Sequence, residues 1–265
     1  MRRTGGFALI AALWLIIALA GVVGLATGTA RLGQTETLNR IALARGRWAA
    51  EACLAIAQAR WDQGRLADTG TVDLGQQTRC SWRLTDPTTR LNVNVADSAE
   101  LAPIVCPHPD RACGLDSLLR LRDAAPLTDL AQAAVVPGVD SSALALLTVD
   151  GPGSITANSA PPVVLRVVPG MTAEARWRLE NRRLMGRPYP SLDALAADLS
   201  PPARDVVLAH YADLAGQITF TTSLLRLTSL GWVEGMGAAD RLHATVELLV
   251  VPLSGRLATV RRRMW

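Results

Sequence analysis

The sequence predicts an α+β protein made of one very long N-terminal helix, a small antiparallel sheet and a helical domain inserted into that sheet. Three observations predict it. A charge-free stretch, Thr4 to Ala30, runs straight into helix-forming sequence, with no proline before Pro87. Apolar alternation over Thr78 to Thr85 returns over Ser223 to Glu234, Leu242 to Val251 and Arg256 to Arg263. Between these strands, residues 92–215 read as short helices punctuated by proline and glycine.

Composition narrows the chemistry. With 265 residues, 49% hydrophobic and 19% charged, the chain is not a disordered one. All 27 basic residues are arginine. The absence of lysine excludes a Walker A loop, a Schiff-base lysine, a Ser-Lys dyad and a kinase lysine, each of which needs an ammonium at a fixed place. A net charge of +4 is too weak a field to imply nucleic acid.

The charge-free run spans 27 residues, enough to cross a hydrocarbon core of about 30 Å. Arg2 and Arg3 on its short side place the N-terminus in the cytoplasm and the rest of the chain beyond the membrane. A cleaved secretory signal, a plain anchor and a leader clipped on the cytoplasmic side all begin this way. The helical pattern continues through Arg31, Glu36, Leu38, Ile41, Trp48, Leu54 and Trp61. A continuous helix from Phe7 to Trp61 would reach roughly 80 Å, its transmembrane part over residues 7–30 and an amphipathic part over residues 31–63.

The run from Arg2 to Leu13, with Gly5-Gly6-Phe7-Ala8-Leu9-Ile10 at its centre, resembles the leader of type IV pilins and type II secretion pseudopilins. The resemblance implies that a prepilin peptidase removes residues 1–6, cutting between Gly6 and Phe7, and methylates the new N-terminal Phe7. The long helix is then pilin-type, anchoring the subunit in the membrane and later lying in a filament core. Most members have glutamate at the fifth mature position, where this chain has Ala11. That glutamate answers the N-terminal amine of a neighbouring subunit in an apolar setting, a pair that is costly unless matched. A subunit that ends the filament need not make it, and the minor pseudopilin K of type II secretion typically has an aliphatic residue there.

Past the long helix, residues 64–91 read as a loop through Gln77 and then a first strand, and residues 216–265 as the C-terminal strands, beginning at Ile218 to Phe220 and linked in hairpins. Gly235 to Asp240 is a hairpin link. Inside the helical block, Asn92 to Leu101 and Ile155 to Leu165 resemble each other, each with an asparagine that reads as a capping turn before a helix. Val135-Val136-Pro137-Gly138-Val139 and Val167-Val168-Pro169-Gly170-Met171 read as two helix-hairpin-helix-like units, with glycine taking the positive-φ position. The order of leader, long helix, strand, asparagine turn, helical insert, second asparagine turn and strands is similar to minor pseudopilin K over most of the chain. The resemblance implies a non-enzymatic subunit at the tip of the pseudopilus, in the bacterial inner membrane with a single span and its C-terminal domain in the periplasm. Its implied partners are the I-, J- and H-type minor pseudopilins, the major pseudopilin, the prepilin peptidase and the inner-membrane assembly platform. The rival reading is a minor pilin of a DNA-uptake or adhesion pilus that holds DNA through its hairpins. Asp140 and Glu174 beside the turns oppose phosphate, so nucleic acid is the weaker partner.

No residue pattern points to catalysis. His210 and His243 have no patterned nucleophile, and no cofactor is expected. Some family members bind calcium, yet Asp110, Asp116, Asp123, Asp129 and Asp150 are scattered and read as solvated carboxylates. The four cysteines of an exported chain are expected as disulfides, Cys106 with Cys113 around a compact loop and hence Cys53 with Cys80, one of three possible connectivities. A zinc site from Cys106, His108 and Cys113 is the alternative, though it lacks a fourth ligand. Trp14, Trp48, Trp61, Trp82 and Trp232 are expected to pack, and Arg261-Arg262-Arg263 to form a solvated edge strand.

Overall fold

α1 (Gly5–Asp62) is a single unbroken helix in the computed structural model, which describes residues 5–107, 113–234, 242–253 and 255–265, with side chains from residue 9 onward. Every side chain from residue 9 to residue 38 is exposed. Burial begins at Ala42 and follows the helical repeat through Gly46, Ala49, Ala50, Cys53, Leu54 and Ala57. These residues are nearly all small, so the helix backbone approaches its neighbour closely. The bulky Trp48 points away, 62% exposed, contrary to the packing expected of it, because it falls on the other face of the repeat.

The chain divides into two compact units. The first comprises Met1–Arg83, Leu227–Leu248 and Arg262–Trp265. The strands are β1 (Thr69–Gly75), β2 (Thr78–Thr85) and, after the helical segment, β7 (Leu225–Val233), β8 (His243–Leu253) and β9 (Arg256–Met264). They form an antiparallel sheet in the order β1-β2-β7-β8-β9. β1 occupies part of the expected loop: it pairs with β2 from Thr69↔Arg83 to Gly75↔Thr78. Its sequence, Thr-Gly-Thr-Val-Asp-Leu-Gly, never presents a fully buried face, which is why alternation did not mark it. The expected link at Gly235 to Asp240 lies outside the described residues.

Within this unit α1 and β7 nearly touch backbone to backbone. A Cβ on Gly231 would stand 2.1 Å from the Gly46 carbonyl oxygen. Ser229, buried in β7, donates its hydroxyl to the Ala50 carbonyl at 2.9 Å. Trp82 is 2% exposed, with Nε1 donating to the Ala67 carbonyl at 3.1 Å, the Arg60 guanidinium 4.8 Å from its ring centre and Gly70 against its face.

The second unit comprises Leu84–Arg226 and Leu249–Arg261; the helical domain expected over residues 92–215 falls within it. A 3-10 turn, Pro87–Thr89, leads to β3 (Leu91–Asn92), α2 (Ser98–Val105), α3 (Leu115–Ala124), α4 (Ala131–Ala134), α5 (Ser141–Leu146) and β4 (Leu147–Thr148). β5 (Ile155–Thr156), α6 (Pro162–Leu165), α7 (Ala173–Leu184), α8 (Leu192–Ala197), α9 (Pro201–Ala209), α10 (Tyr211–Gln217) and β6 (Ile218–Thr219) follow. β3 pairs in parallel with β4, and β5 in parallel with β6. Residues 218–219 therefore leave the hairpin sheet expected of them, because their partner is Ile155–Thr156. Each half closes on itself through a two-residue parallel pair, and Leu101, Leu118, Leu147, Leu165, Leu195 and Leu214 lie in one buried core shared by both halves.

Candidate functional site

The two asparagine turns have equivalent hydrogen bonds, and neither is the helix cap expected. Asn94 clamps the backbone of Leu127, donating to its carbonyl at 2.9 Å and accepting from its N–H at 2.8 Å. Asn158 clamps Tyr189 in the same way at 2.8 and 2.9 Å, and donates also to Phe220 at 3.0 Å. Arg122 reaches the carbonyls of Val93 and Ala96, and Arg183 those of Ser159 and Ala160. The cap of α2 is Asp97, in a reciprocal box with Glu100, whereas α6 begins on Pro161 with no side-chain cap. An asparagine amide carries both a donor and an acceptor, so it satisfies a whole backbone unit that a capping carboxylate would serve by half.

The Pro-Gly turns sit at non-equivalent places in this repeat. Pro137-Gly138 joins α4 to α5, while Pro169-Gly170 joins α6 to α7. Both glycines adopt positive φ, 87° and 79°. The contacts are nevertheless equivalent: Gly114, before α3, lies against Pro137, Gly138 and Val139, and Gly170, before α7, lies against His210, which precedes α10. Asp140 and Thr172 cap the helices that follow the two turns.

The arginines of α7 are committed to this architecture. Arg176 donates to the Met171 carbonyl at 2.7 Å, Arg178 pairs with Glu174 at 3.7 Å, and the Arg182 guanidinium lies 4.6 Å from the Tyr189 ring centre. Glu174 binds Ser200 through both its hydroxyl, at 2.5 Å, and its N–H, at 3.0 Å, and is held below the usual carboxylate range by those bonds. Tyr189 donates to Asp198 at 2.5 Å; burial first, and then that bond, push its phenol up to about 12. A basic helix so engaged offers no row of outward arginines for phosphate.

Cys53 and Cys80, both fully buried, form a disulfide that joins α1 to β2. Cys106 and Cys113 form the second. His108, the third zinc ligand of the alternative, lies outside the described residues, as does Asp110. Asp116, Asp123, Asp129 and Asp150 stand in separate settings. Asp116 stands in the first turn of α3, Asp123 is 3.3 Å from Arg122, and Asp129 accepts from the Ala131 N–H. Asp150 is no solvated carboxylate: its side chain is 1% exposed, clasped by Arg226 and Arg261. Two strand arginines remote in sequence compensate its burial, which no local pattern announces. Arg261 therefore points to this carboxylate, and Arg262 pairs with Glu51 at 2.5 Å, so the C-terminal arginines are more than a solvated edge. Among the described residues no three His, Cys, Asp or Glu side chains converge to hold a metal.

The remaining functional feature is α1 itself. By length and composition it is able to cross a membrane. Ala11 stands on this exposed apolar stretch; residues 1–4 of the leader lie outside the described residues, and Gly6 and Phe7 are described as helix backbone alone.

No protein-family model and no curated protein matches the sequence. Among solved structures, the chain is similar to one in the crystal structure of the GspK-GspI-GspJ complex from the enterotoxigenic Escherichia coli type 2 secretion system. The identity is 14% and the TM-score 0.57, over 89% of this chain and 99% of that one. At this identity the likeness is one of fold: a long N-terminal helix, an antiparallel sheet and further helices.

Proposed function

We propose that the chain is a minor pseudopilin of the K type, standing at the tip of a type II secretion pseudopilus and starting or capping the filament that exports folded proteins. The observation that carries this reading is the joint presence of an exposed apolar helix and a helical domain inserted between β2 and β7, in a fold shared along nearly the whole length of a chain from a GspK-GspI-GspJ complex. The residues around this fold serve packing and capping, which suits a non-enzymatic subunit. Ala11, where a glutamate would pair with a neighbour's amine, supports an end position. So does the bulky insert, since a heterologous filament contact repeats above and below every interior subunit.

On this reading a prepilin peptidase cuts between Gly6 and Phe7, the apolar half of α1 holds the subunit in the inner membrane, and the chain beyond that half lies in the periplasm. The I-, J- and H-type minor pseudopilins are its partners at the tip; the major pseudopilin and the inner-membrane assembly platform extend the filament below. Co-expression with the I- and J-type pseudopilins of the same genome tests the proposal. A stable complex with one copy of each is expected. Failure of this chain to co-purify while the other two associate would overturn it.

A further inference from the structure

A cavity of about 250 Å³ lies within the second unit, where residues of its two halves come together. Leu91, Val95, Pro152 and Ile155 supply apolar lining, and Asp97, Glu100 and Gln217 supply the polar part. Val95 is 60% exposed, so the apolar lining reaches solvent. The polar side chains hold one another. Glu100 Oε2 accepts from the Asp97 N–H at 3.0 Å, and Glu100 Oε1 accepts from Gln217 Nε2 at 3.2 Å, across 117 residues of chain. That bond fixes the orientation of the amide, since its oxygen would be repelled by the carboxylate. Gln217 Oε1 is left buried, with no hydrogen-bond donor among the described residues.

The cavity therefore carries acceptors and negative charge in excess. No basic side chain is among the residues that line it. Burial pushes the Glu100 carboxyl above its usual range; the Asp97 N–H opposes that shift and the Asp97 charge adds to it. The reciprocal capping box at the start of α2 does not use up this charge. A helix N-terminus supplies roughly half a positive charge against two carboxylates. The negative end of α10 offsets even that, because Gly216 and Gln217, its last residues, line the same cavity. An apolar wall beside unanswered acceptors matches a cation carried on an alkyl stem. The chain has no lysine to supply one.

We propose that this cavity receives a basic side chain, lysine or arginine, from a protein partner. The stem lies along Leu91, Val95 and Pro152, and the charged head meets Glu100 and Asp97. Such a contact pins the start of α2 to the end of α10, and so one half of the helical region to the other. The site is independent of the pseudopilin reading and stands or falls separately.

The test uses the full chain in detergent, at neutral pH and fixed ionic strength, titrated with N-acetyl-lysine methylamide as the probe. Thermal unfolding of the wild type should shift upward and saturate at millimolar concentrations of probe. The norleucine derivative, which keeps the stem and lacks the charge, should leave the wild type at its buffer value. Glu100→Gln and Asp97→Asn each remove one charge and keep the cap, since glutamine serves in a capping box and asparagine caps as well as aspartate. Each should weaken the apparent affinity for the probe by about tenfold. No shift with the lysine probe, an equal shift with the norleucine derivative, or an undiminished response in both variants would overturn the proposal. Calcium that saturates the shift at the same ionic strength and excludes the probe would overturn it too, in favour of a metal ion.

Discussion

Replacing Gly231 with alanine tests the closest approach in the sheet unit. The new Cβ would lie 2.1 Å from the Gly46 carbonyl oxygen, 2.4 Å from the Ala50 nitrogen and 2.9 Å from the Ala49 Cβ. Two of these are backbone atoms of α1, so no rotamer change relieves the clash. Ordinary contact begins at 3.4 Å, so helix and strand must part by about 1.3 Å. That movement loosens the packing of Ala42, Ala49, Ala50 and Cys53 along the same face. Overpacking costs about 1–3 kcal/mol, and backbone on both sides of the contact puts Gly231→Ala near the upper end. At about 2–4 °C per kcal/mol for a chain of this size, the Tm should fall by roughly 6–12 °C. Gly46→Ala is the control: its Cβ would meet the Gly231 oxygen at 2.9 Å, a smaller conflict, and alanine in mid-helix recovers about 0.5–1 kcal/mol. Its net change should be close to zero. Thermal unfolding of both variants in detergent, followed by tryptophan fluorescence, makes the comparison. A Gly231→Ala variant with wild-type Tm, or a Gly46→Ala variant that is the worse of the two, would refute the close helix-strand contact.

The disulfides should differ in weight. Chain entropy assigns about 3.5 kcal/mol to Cys53–Cys80, with a separation of 27, and about 2.4 kcal/mol to Cys106–Cys113, with a separation of 7, so the double alanine variant of the first pair should melt lower. The chain has two tyrosines, and both phenols are raised, Tyr189 to about 12 and Tyr211 by its hydrogen bond to Asp193. Phenolate absorbance should therefore show one tyrosine, Tyr189, titrating well above pH 10 and the Tyr211 step displaced upward, and the stability carried by Tyr189, complete below pH 10, should be lost as pH rises towards 12. A normal two-tyrosine step at pH 10 in the folded chain would contradict both bonds. Asn158→Ala removes three hydrogen bonds and leaves the Tyr189 backbone without partners, which should cost about 2–3 kcal/mol in a denaturant titration. Asn158→Asp should recover part of it, since the acceptor to the Tyr189 N–H remains.

The long helix was legible because its signal is one of composition: no charge from Thr4 to Ala30 and no proline before Pro87. Strands β7, β8 and β9 were legible because they alternate, and β7 does so without interruption from Leu225 to Val233. β1 was not, since one of its faces is exposed and the other only half-buried, with Val72 and Leu74 its only apolar side chains. The repeat of asparagine turns was visible in sequence, but its meaning was not: Asn94 and Asn158 bind backbone 33 and 31 residues away, a distance that no local capping rule spans. The Asp150 cluster was missed for the same reason. Its arginines come from β7 and β9, 76 and 111 positions further on, and only the fold brings them to one carboxylate.

If the proposed function holds, a prepilin peptidase has removed the leader, and the mature N-terminus decides it. Mass spectrometry of the chain extracted from membranes should find a polypeptide that begins at N-methylated Phe7 and lacks residues 1–6. A chain that begins at Met1, or at Arg31 after cleavage behind the apolar segment, would overturn the pseudopilin proposal.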